Sequence, residues 1–332
     1  MPSVSNAGGS LSSALVLTML AWGVRWVRGE MVRRKREDTA KQQERRTPGR
    51  YHAHLSPASL RMLVETGAYP HIVFDVRAPE ETNPLPPELR GSLRLPCDLV
   101  AQALSSSSSW TEMFQGVPFP ETHFMLVFVG SSSSQQLRAA AAAASQGFLR
   151  TMTLAGTLSG FARGASTQPN LHYISRDAVA ALLSAQQNSP LGPPPQRVVI
   201  IDVRRGDERA LYGHIQGSVH IPVDRLPSAL ALSTENFASQ YHFPKPSADD
   251  LLVMSCRTNT RAAWAAALAQ DAGLVRCAVF RQGVYGWRLD SSVKVYRGYK
   301  QFDPPPEPEP FQLEQADIGA GAAELAALGI GS

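Results

Sequence analysis

The residues best suited to chemistry lie in LLVMSCRTNTRAAW (251–264), where a single cysteine separates a strand-like run from a helix-like run. Arg257 and Arg261 follow Cys256 at one and five positions. In open α/β sheets, ligands bind at the loops after the strands, and the next helix directs its free N–H groups at such a loop. Positive charge and a helix N-terminus favour the thiolate, which is the nucleophilic form of cysteine. Residues 256–261, the cysteine loop, are therefore predicted to hold a reactive thiolate rather than an inert, buried thiol.

The rest of the cysteine loop is predicted to bind an anionic substrate. Two arginines supply positive charge, and the loop amides can stabilise a charged sulfur or an oxyanion. We expect a left-handed backbone at Asn259, because asparagine tolerates that conformation better than most residues. The residues expected to bind substrate are Arg257, Thr258, Asn259, Thr260 and Arg261.

The elements that position this loop belong to a repeat. Four motifs recur in the same order, at an offset of 126 or 127 residues. The matched pairs are FDVRAPEE (74–81) with IDVRRGDE (201–208), RGSLRLP (90–96) with QGSVHIP (216–222), LVFVGSSSS (126–134) with LVMSCRTNT (252–260), and Gly160-Phe161 with Gly286-Trp287. This pattern predicts a duplicated domain, with a first copy at 52–164 and a second copy at 171–290.

Each copy is predicted to have an α/β fold. Segments such as LRMLVETG and RDAVAALLSAQ have an apolar spacing close to the helical period. Short continuous apolar runs such as RVVIIDV and FMLVFV are typical of strands that are buried on both faces of a parallel sheet. Strands that alternate with helices indicate two domains, each an open, mostly parallel sheet flanked by helices.

Charged residues also follow the first buried strand of the second copy. Asp202 and Arg204 come directly at its end, and we expect a structural ion pair that supports the cysteine loop. The first copy has the same pair, Asp75 and Arg77. No Cys/His/Asp cluster has metal-ligand spacing, and no phosphate-binding glycine motif is complete, so neither a metal nor a cofactor is predicted.

Composition narrows the class of protein further. Three cysteines in 332 residues are too few for a disulfide framework and favour a reducing compartment. Of the formal charge of +4, residues 25–50 alone contribute +6, with ten Lys/Arg against four Asp/Glu. No basic stripe with interleaved aromatic residues lies elsewhere, so nucleic-acid binding is not expected.

Both ends of the chain lie outside the repeat. Residues 1–50 combine an apolar segment (11–24) with a basic linker. That segment is shorter than the roughly 20 residues that span a bilayer, and its positive charge follows it. A membrane anchor, a cleaved import sequence and a disordered tail all fit. We expect an organelle-associated protein, in the first place mitochondrial, with a plastid or another cytosol-facing membrane as alternatives. Residues 300–332, rich first in Pro/Glu and then in Ala/Gly, are expected to be disordered, with a short helix over AAELAAL (322–328) as the alternative.

The second copy resembles the rhodanese (thiosulfate sulfurtransferase) family. The resemblance is carried by IDVRRGDERALYGHIQGSVHIP (201–222), CRTNTR (256–261) and FRQGVYGW (280–287), in the order found in the family. It implies a rhodanese fold and sulfur transfer through a persulfide on Cys256. The partners implied are a small anionic sulfur donor, and cyanide, a thiol or a protein as the sulfur acceptor.

The first copy departs from this pattern at the decisive positions. Gly130 stands where the second copy has Cys256, and the loop GSSSSQ has no arginine. Without a nucleophile or a cation, the first copy is expected to be catalytically inactive. The layout of an inactive copy before an active one is similar to that of two-domain sulfurtransferases, although closure of the cysteine loop by Arg261 is more similar to single-domain members.

Two other functions fit the same residues. A cysteine-dependent phosphatase or arsenate reductase needs five residues between cysteine and arginine to encircle a tetrahedral oxyanion, whereas four lie between Cys256 and Arg261. A membrane-anchored scaffold or sulfur carrier without turnover is the other alternative, because an intact loop does not require catalysis. Release of sulfite from thiosulfate in the presence of cyanide distinguishes an enzyme from a carrier.

Overall fold

Parallel strands form the centre of both copies. The computed structural model describes residues 51–163, 169–187, 197–300 and 303–330. Its strands are β1 (Tyr51–Leu55), β2 (His71–Asp75), β3 (Leu93–Arg94), β4 (Met125–Val129), β5 (Arg150–Leu154), β6 (His172–Ile174), β7 (Val198–Asp202), β8 (Val219–His220), β9 (Leu251–Ser255) and β10 (Cys277–Phe280). They pair in parallel as two five-stranded sheets, ordered β1-β5-β4-β2-β3 and β6-β10-β9-β7-β8. The two orders are identical when the strands are matched in turn.

Helices alternate with these strands. They are α1 (Pro57–Thr66), α2 (Val100–Ala103), α3 (Ser107–Met113), α4 (Ser133–Ser145), α5 (Leu158–Arg163), α6 (Arg176–Gln187), α7 (Gly206–Tyr212), α8 (Leu226–Leu230), α9 (Thr234–Tyr241), α10 (Thr260–Asp271) and α11 (Ile318–Ala327). The central strands β4 and β9 are buried along their whole length, as expected for sheets covered on both faces. The predicted α/β class with two open parallel sheets is confirmed.

The two copies share one hydrophobic core. A single cluster of buried side chains includes Leu60 and Leu63 of α1 together with Trp264 and Leu268 of α10. The Trp264 indole N–H donates a hydrogen bond of 3.1 Å to the carbonyl oxygen of Ser59, which ties α10 to α1. Because α10 follows the cysteine loop directly, the first copy forms part of the packing that positions this loop.

The C-terminal tail differs from the expectation of disorder. Its described residues, 303–330, contain α11, which packs along α6. Asp317 caps α11 by accepting a hydrogen bond from the Ala320 N–H, and Ser175, before α6, donates its backbone N–H to Glu324 of α11 at 3.0 Å. Gly321 permits the close approach, because a Cβ atom there would lie 2.2 Å from the carbonyl oxygen of Asp177. The sequence allowed a short helix over AAELAAL, and packing against α6 is what stabilises it.

The N-terminal predictions fall on residues that the structure does not describe. The apolar segment 11–24 and the basic linker that ends at residue 50 both precede the first described residue. Among the helices of the described ranges, none has the length and apolar character needed to cross a bilayer. The anchor and the import sequence therefore stay predictions.

The contact between the copies can be tested by Trp264→Phe. This change removes the indole donor to Ser59 and part of the buried ring, so we expect the free energy of unfolding to fall by about 1–3 kcal/mol. Urea denaturation followed by circular dichroism measures the change. Val275→Ala, at a side chain that is 67% exposed, is the control and should alter stability by less than about 0.5 kcal/mol. Equal stability of the two variants would contradict the role of Trp264.

Candidate active site

Cys256 lies where the sequence predicts it, directly after β9 and before α10. Strand β9 is central in its sheet, between β10 and β7. The thiol is 1% exposed, so it lies at the base of the cysteine loop rather than on its rim. Helix α10 begins at Thr260, and Arg261 lies half-buried in its first turn. The loop therefore stands at the N-terminal end of a 12-residue helix, whose dipole favours negative charge.

Two backbone hydrogen bonds fix the orientation of the cysteine loop. The N–H groups of Val284 and Tyr285 donate to the carbonyl oxygens of Cys256 and Arg257, each at 2.9 Å. In a trans peptide the C=O and the next N–H point in opposite directions. The N–H groups of Arg257 and Thr258 therefore point away from residues 283–285. Neither donates to an acceptor among the described residues, so both are available to an anion.

Gly283 allows this close approach. Its φ of +57° is a conformation that residues with a side chain rarely adopt. A Cβ atom at this position would lie 2.1 Å from the carbonyl oxygen of Thr258 and 2.6 Å from those of Cys256 and Arg257. Three consecutive loop carbonyls thus converge on one glycine, and any larger residue would displace the loop.

The polar side chains of the loop make further contacts on its outer side. The Arg257 guanidinium lies over the ring of Tyr285, with its central carbon 5.7 Å from the ring centroid. Asn259 donates its side-chain amide to the carbonyl oxygen of Arg281 at 3.0 Å. The predicted left-handed backbone at Asn259 is wrong, since its φ is −142°. Gly283, rather than a loop residue, adopts the positive φ that the tight packing requires.

A polar cleft of about 540 Å³ borders this outer side of the loop. Thr258 and Asn259 contribute the loop part of its lining. The opposite wall includes Arg176 of α6, Arg288 and the tail residue Glu314, whose carboxylate forms ion pairs with both arginines.

Asp202 and Arg204 form the buried ion pair that the sequence predicts. Arg204 is fully buried and donates to Asp202 at 2.7 Å and to the Gly213 carbonyl oxygen at 2.7 Å. Burial alone would lower the pKa of Arg204, but the charge and hydrogen bonds of Asp202 outweigh it and keep the pKa above its usual value. Between them, Val203 donates its N–H to the Ser255 carbonyl oxygen at 2.8 Å. The pair therefore supports the strand end from which Cys256 projects.

In the first copy, a carboxylate occupies the corresponding loop. Glu81 accepts hydrogen bonds from the Ser131 hydroxyl, from the Gln135 amide at 3.4 Å and from the Ala78 N–H at 3.1 Å. Ser131 and Gln135 stand where the second copy has Arg257 and Arg261. The bond from Ser131 lowers the pKa of Glu81, which keeps it ionised. This loop binds a negative charge of its own chain, an occupant that inspection of the sequence did not reveal.

The other two cysteines, Cys97 and Cys277, are buried. Cys277 lies in β10 and donates its thiol to the Leu274 carbonyl oxygen at 3.0 Å. Burial raises the pKa of Cys277 to about 12 and also raises the pKa of Cys97. Both thiols are therefore protonated at neutral pH and are poor nucleophiles.

Comparison with known proteins places the second copy in a family. A family model described as the rhodanese-like domain matches residues 184–290. A rhodanese domain-containing protein of Drosophila melanogaster (CG4456) is 31% identical over 90 residues, which are 27% of this chain and 81% of the fly protein. The chain belongs to the rhodanese-like domain family. The family match covers the cysteine loop, the buried ion pair and Gly283.

Other rhodanese-like proteins extend the comparison. The mitochondrial thiosulfate sulfurtransferase RDL2 of Saccharomyces cerevisiae is 29% identical over 102 residues, which are 31% of this chain and 68% of the yeast protein. The structure of the human single-domain sulfurtransferase TSTD1 is 29% identical, with a TM-score of 0.30, and the match covers 36% of this chain and 92% of that one. The similarity to the yeast protein associates the chain with sulfurtransferases in general.

Some functional residues were missed by sequence reasoning because their contacts are distant in the chain. Gly283 and Val284 were included in the motif FRQGVYGW, but nothing in its spacing indicated that their backbone holds the cysteine loop. A glycine in the short turn three residues after a predicted strand was the available signal. Glu81 could have been noticed as the repeat counterpart of Glu208.

The close approach at Gly283 predicts a large effect for Gly283→Ala. The new methyl group would collide with loop carbonyls as well as strain the backbone, so we expect stability to fall by about 2–4 kcal/mol. Gly273→Ala is the matched control, because Gly273 also has a positive φ of +86° but no atom within 4 Å of the added Cβ. The control should lose only about 1 kcal/mol. Equal losses in urea denaturation would show that the carbonyl contacts carry no weight.

Proposed function

We propose that the protein is a sulfurtransferase that carries sulfane sulfur as a persulfide on Cys256. The observation that carries the proposal is the pair of anchored loop carbonyls, which leaves neighbouring N–H groups free beside a cysteine at a helix N-terminus. The name of the yeast relative supports the reaction class. The buried ion pair Asp202–Arg204 supports the loop and takes no part in the chemistry.

In the first half-reaction, the Cys256 thiolate attacks the outer sulfur of a small anionic donor such as thiosulfate. A new S–S bond forms to Cys256, the S–S bond of thiosulfate breaks, and sulfite leaves with the bonding electron pair. Arg257 and Arg261 bind the anionic donor. The free N–H groups of the loop stabilise the negative charge on the terminal sulfur of the persulfide. Because the thiol lies deep in the site, a small donor reaches it more easily than a bulky one.

In the second half-reaction, a nucleophile attacks the terminal sulfur of the persulfide. Cyanide leaves as thiocyanate, whereas a thiol of a small molecule or a protein leaves as a persulfide. In both cases the electron pair of the S–S bond returns to Cys256 and regenerates the thiolate. A covalent intermediate between two substrates predicts ping-pong kinetics.

The proposed location is mitochondrial. The budding yeast relative is named as a mitochondrial protein, which supports the expectation drawn from residues 1–50. Import and membrane anchoring are both compatible with this location, and both involve residues outside the described ranges.

Substitution of each cysteine tests the assignment of the nucleophile. Cys256→Ser should abolish both the gain of one sulfur mass after thiosulfate treatment and the release of sulfite with cyanide present. Cys97→Ser and Cys277→Ser are the controls and should retain both, because burial keeps these thiols protonated. Intact-protein mass spectrometry measures the first quantity and a sulfite assay the second. A persulfide in the Cys256→Ser variant would contradict the assignment, and persulfide formation without turnover would indicate a sulfur carrier.

The first copy offers a test of why the cysteine is reactive. In a Cys256→Ser background, Gly130→Cys alone should form little persulfide, because Glu81 places a negative charge at the loop. The added Cβ fits with small shifts, since its nearest neighbour would be Val76 Cγ2 at 3.3 Å. Adding Ser131→Arg and Gln135→Arg should increase the yield by about tenfold, equivalent to one pKa unit of thiolate stabilisation. Equal yields from the two variants, measured by intact mass, would show that the arginines do not activate the thiol.

A further inference from the structure

The C-terminal tail contacts Tyr285, whose backbone N–H binds the cysteine loop. Glu309 donates its backbone N–H to the Val295 carbonyl oxygen at 2.7 Å and so runs antiparallel beside that segment. Its carboxylate accepts a hydrogen bond of 3.1 Å from the Tyr285 hydroxyl. Glu309 lies beyond the matched rhodanese-like domain, which ends at residue 290. The contact is therefore an addition to the domain by the tail.

Tyr285 transmits this contact to Arg257 in two ways. Its backbone N–H holds the Arg257 carbonyl oxygen at 2.9 Å, and its ring lies beneath the Arg257 guanidinium. A cation over an aromatic ring is attracted to the ring, and this attraction depends on where the ring is held. A fixed hydroxyl limits rotation of the Tyr285 side chain and so limits the positions open to the guanidinium.

We propose that Glu309 is a positioning residue, which holds Tyr285 and through it orients Arg257 toward the anionic sulfur donor. The proposal rests on the proposed function, because it assigns Arg257 to donor binding. It makes the tail a determinant of donor recognition in the second copy. Neither Glu309 nor Tyr285 contacts the reacting atoms in this account.

The tail is held firmly enough for such a role. On the C-terminal side of Glu309, the Glu314 N–H donates to the Arg288 carbonyl oxygen at 2.8 Å, and the Glu314 carboxylate forms an ion pair with Arg176. On the other side, the Tyr212 hydroxyl donates to the Pro306 carbonyl oxygen at 2.8 Å. Contacts on both sides fix the course of the chain at Glu309.

Glu309 has a second partner that supplies a matched control. Arg297 pairs with the other carboxylate oxygen at 3.0 Å, but its side chain is 85% exposed. An ion pair this exposed contributes little to stability. Arg297→Ala therefore removes one interaction of Glu309 while the hydrogen bond to Tyr285 persists.

The test compares Glu309→Ala, Glu309→Gln and Tyr285→Phe with Arg297→Ala in the full-length chain. In ping-pong kinetics, kcat/KM for each substrate reports its own half-reaction. We expect kcat/KM for thiosulfate to fall about fivefold in Glu309→Ala and Tyr285→Phe, which corresponds to the typical net contribution of one hydrogen bond. The value for dithiothreitol, a neutral acceptor, should stay unchanged. Glu309→Gln should retain most of the activity, because its amide oxygen can still accept from the hydroxyl.

The double variant Tyr285→Phe/Glu309→Ala should be no worse than either single variant, since both remove the same contact. Arg297→Ala should match the wild type. The proposal is overturned if kcat/KM falls equally for donor and acceptor, if the single variants match Arg297→Ala, or if the effects of the two substitutions add.

Hydrogen exchange separates this proposal from the proposed function. If the wild type transfers no sulfur, the proposed function fails, and amide exchange of Val284 and Tyr285, whose N–H groups hold the cysteine loop, then tests the positioning alone. Exchange should be faster in Glu309→Ala and Tyr285→Phe than in Arg297→Ala. Equal exchange rates in all three variants would overturn the positioning role.

Discussion

The site depends on the attachment of the cysteine loop by its own carbonyl groups. Backbone N–H groups of residues 284 and 285 bind the carbonyl oxygens of Cys256 and Arg257, and peptide geometry then turns the following N–H groups to the other side. The loop thus presents donors without any polar side chain having to supply them. This arrangement requires glycine at position 283, because the absence of a side chain lets three loop carbonyl groups converge there.

The first copy has the same backbone attachment of its loop, although it lacks the cysteine. Its Leu158 N–H donates to the Gly130 carbonyl oxygen at 3.0 Å, as Val284 does to Cys256. The backbone attachment is thus retained where the cysteine and the arginines are absent. The Glu81 carboxylate contacts the side chains of Ser131 and Gln135 beside this loop. In the first copy the partners of this carboxylate within the loop segment are polar side chains, whereas the second copy has a cysteine and arginines at the matching positions.

The sequence alone predicted the features that depend on neighbouring residues in the chain. Apolar runs that are buried on both faces predicted the parallel strands, and the junction at Cys256 predicted a cysteine at a helix N-terminus. The remaining features depend on contacts between distant residues. The predicted left-handed backbone at Asn259 is wrong, because Gly283 adopts the positive φ that the tight packing requires. The tail was expected to be disordered because its weakly amphipathic composition gives no sign of α6, the partner that stabilises it. Periodicity within a segment cannot reveal such partners.

A crystal structure of the thiosulfate-treated protein tests the central claim most directly. We expect one additional sulfur on Cys256, with the N–H groups of Arg257 and Thr258 within hydrogen-bond distance of it, and the carbonyl attachments to residues 284 and 285 unchanged. Sulfur added to Cys97 or Cys277 instead, or a persulfide on Cys256 directed away from the loop amides, would contradict the account.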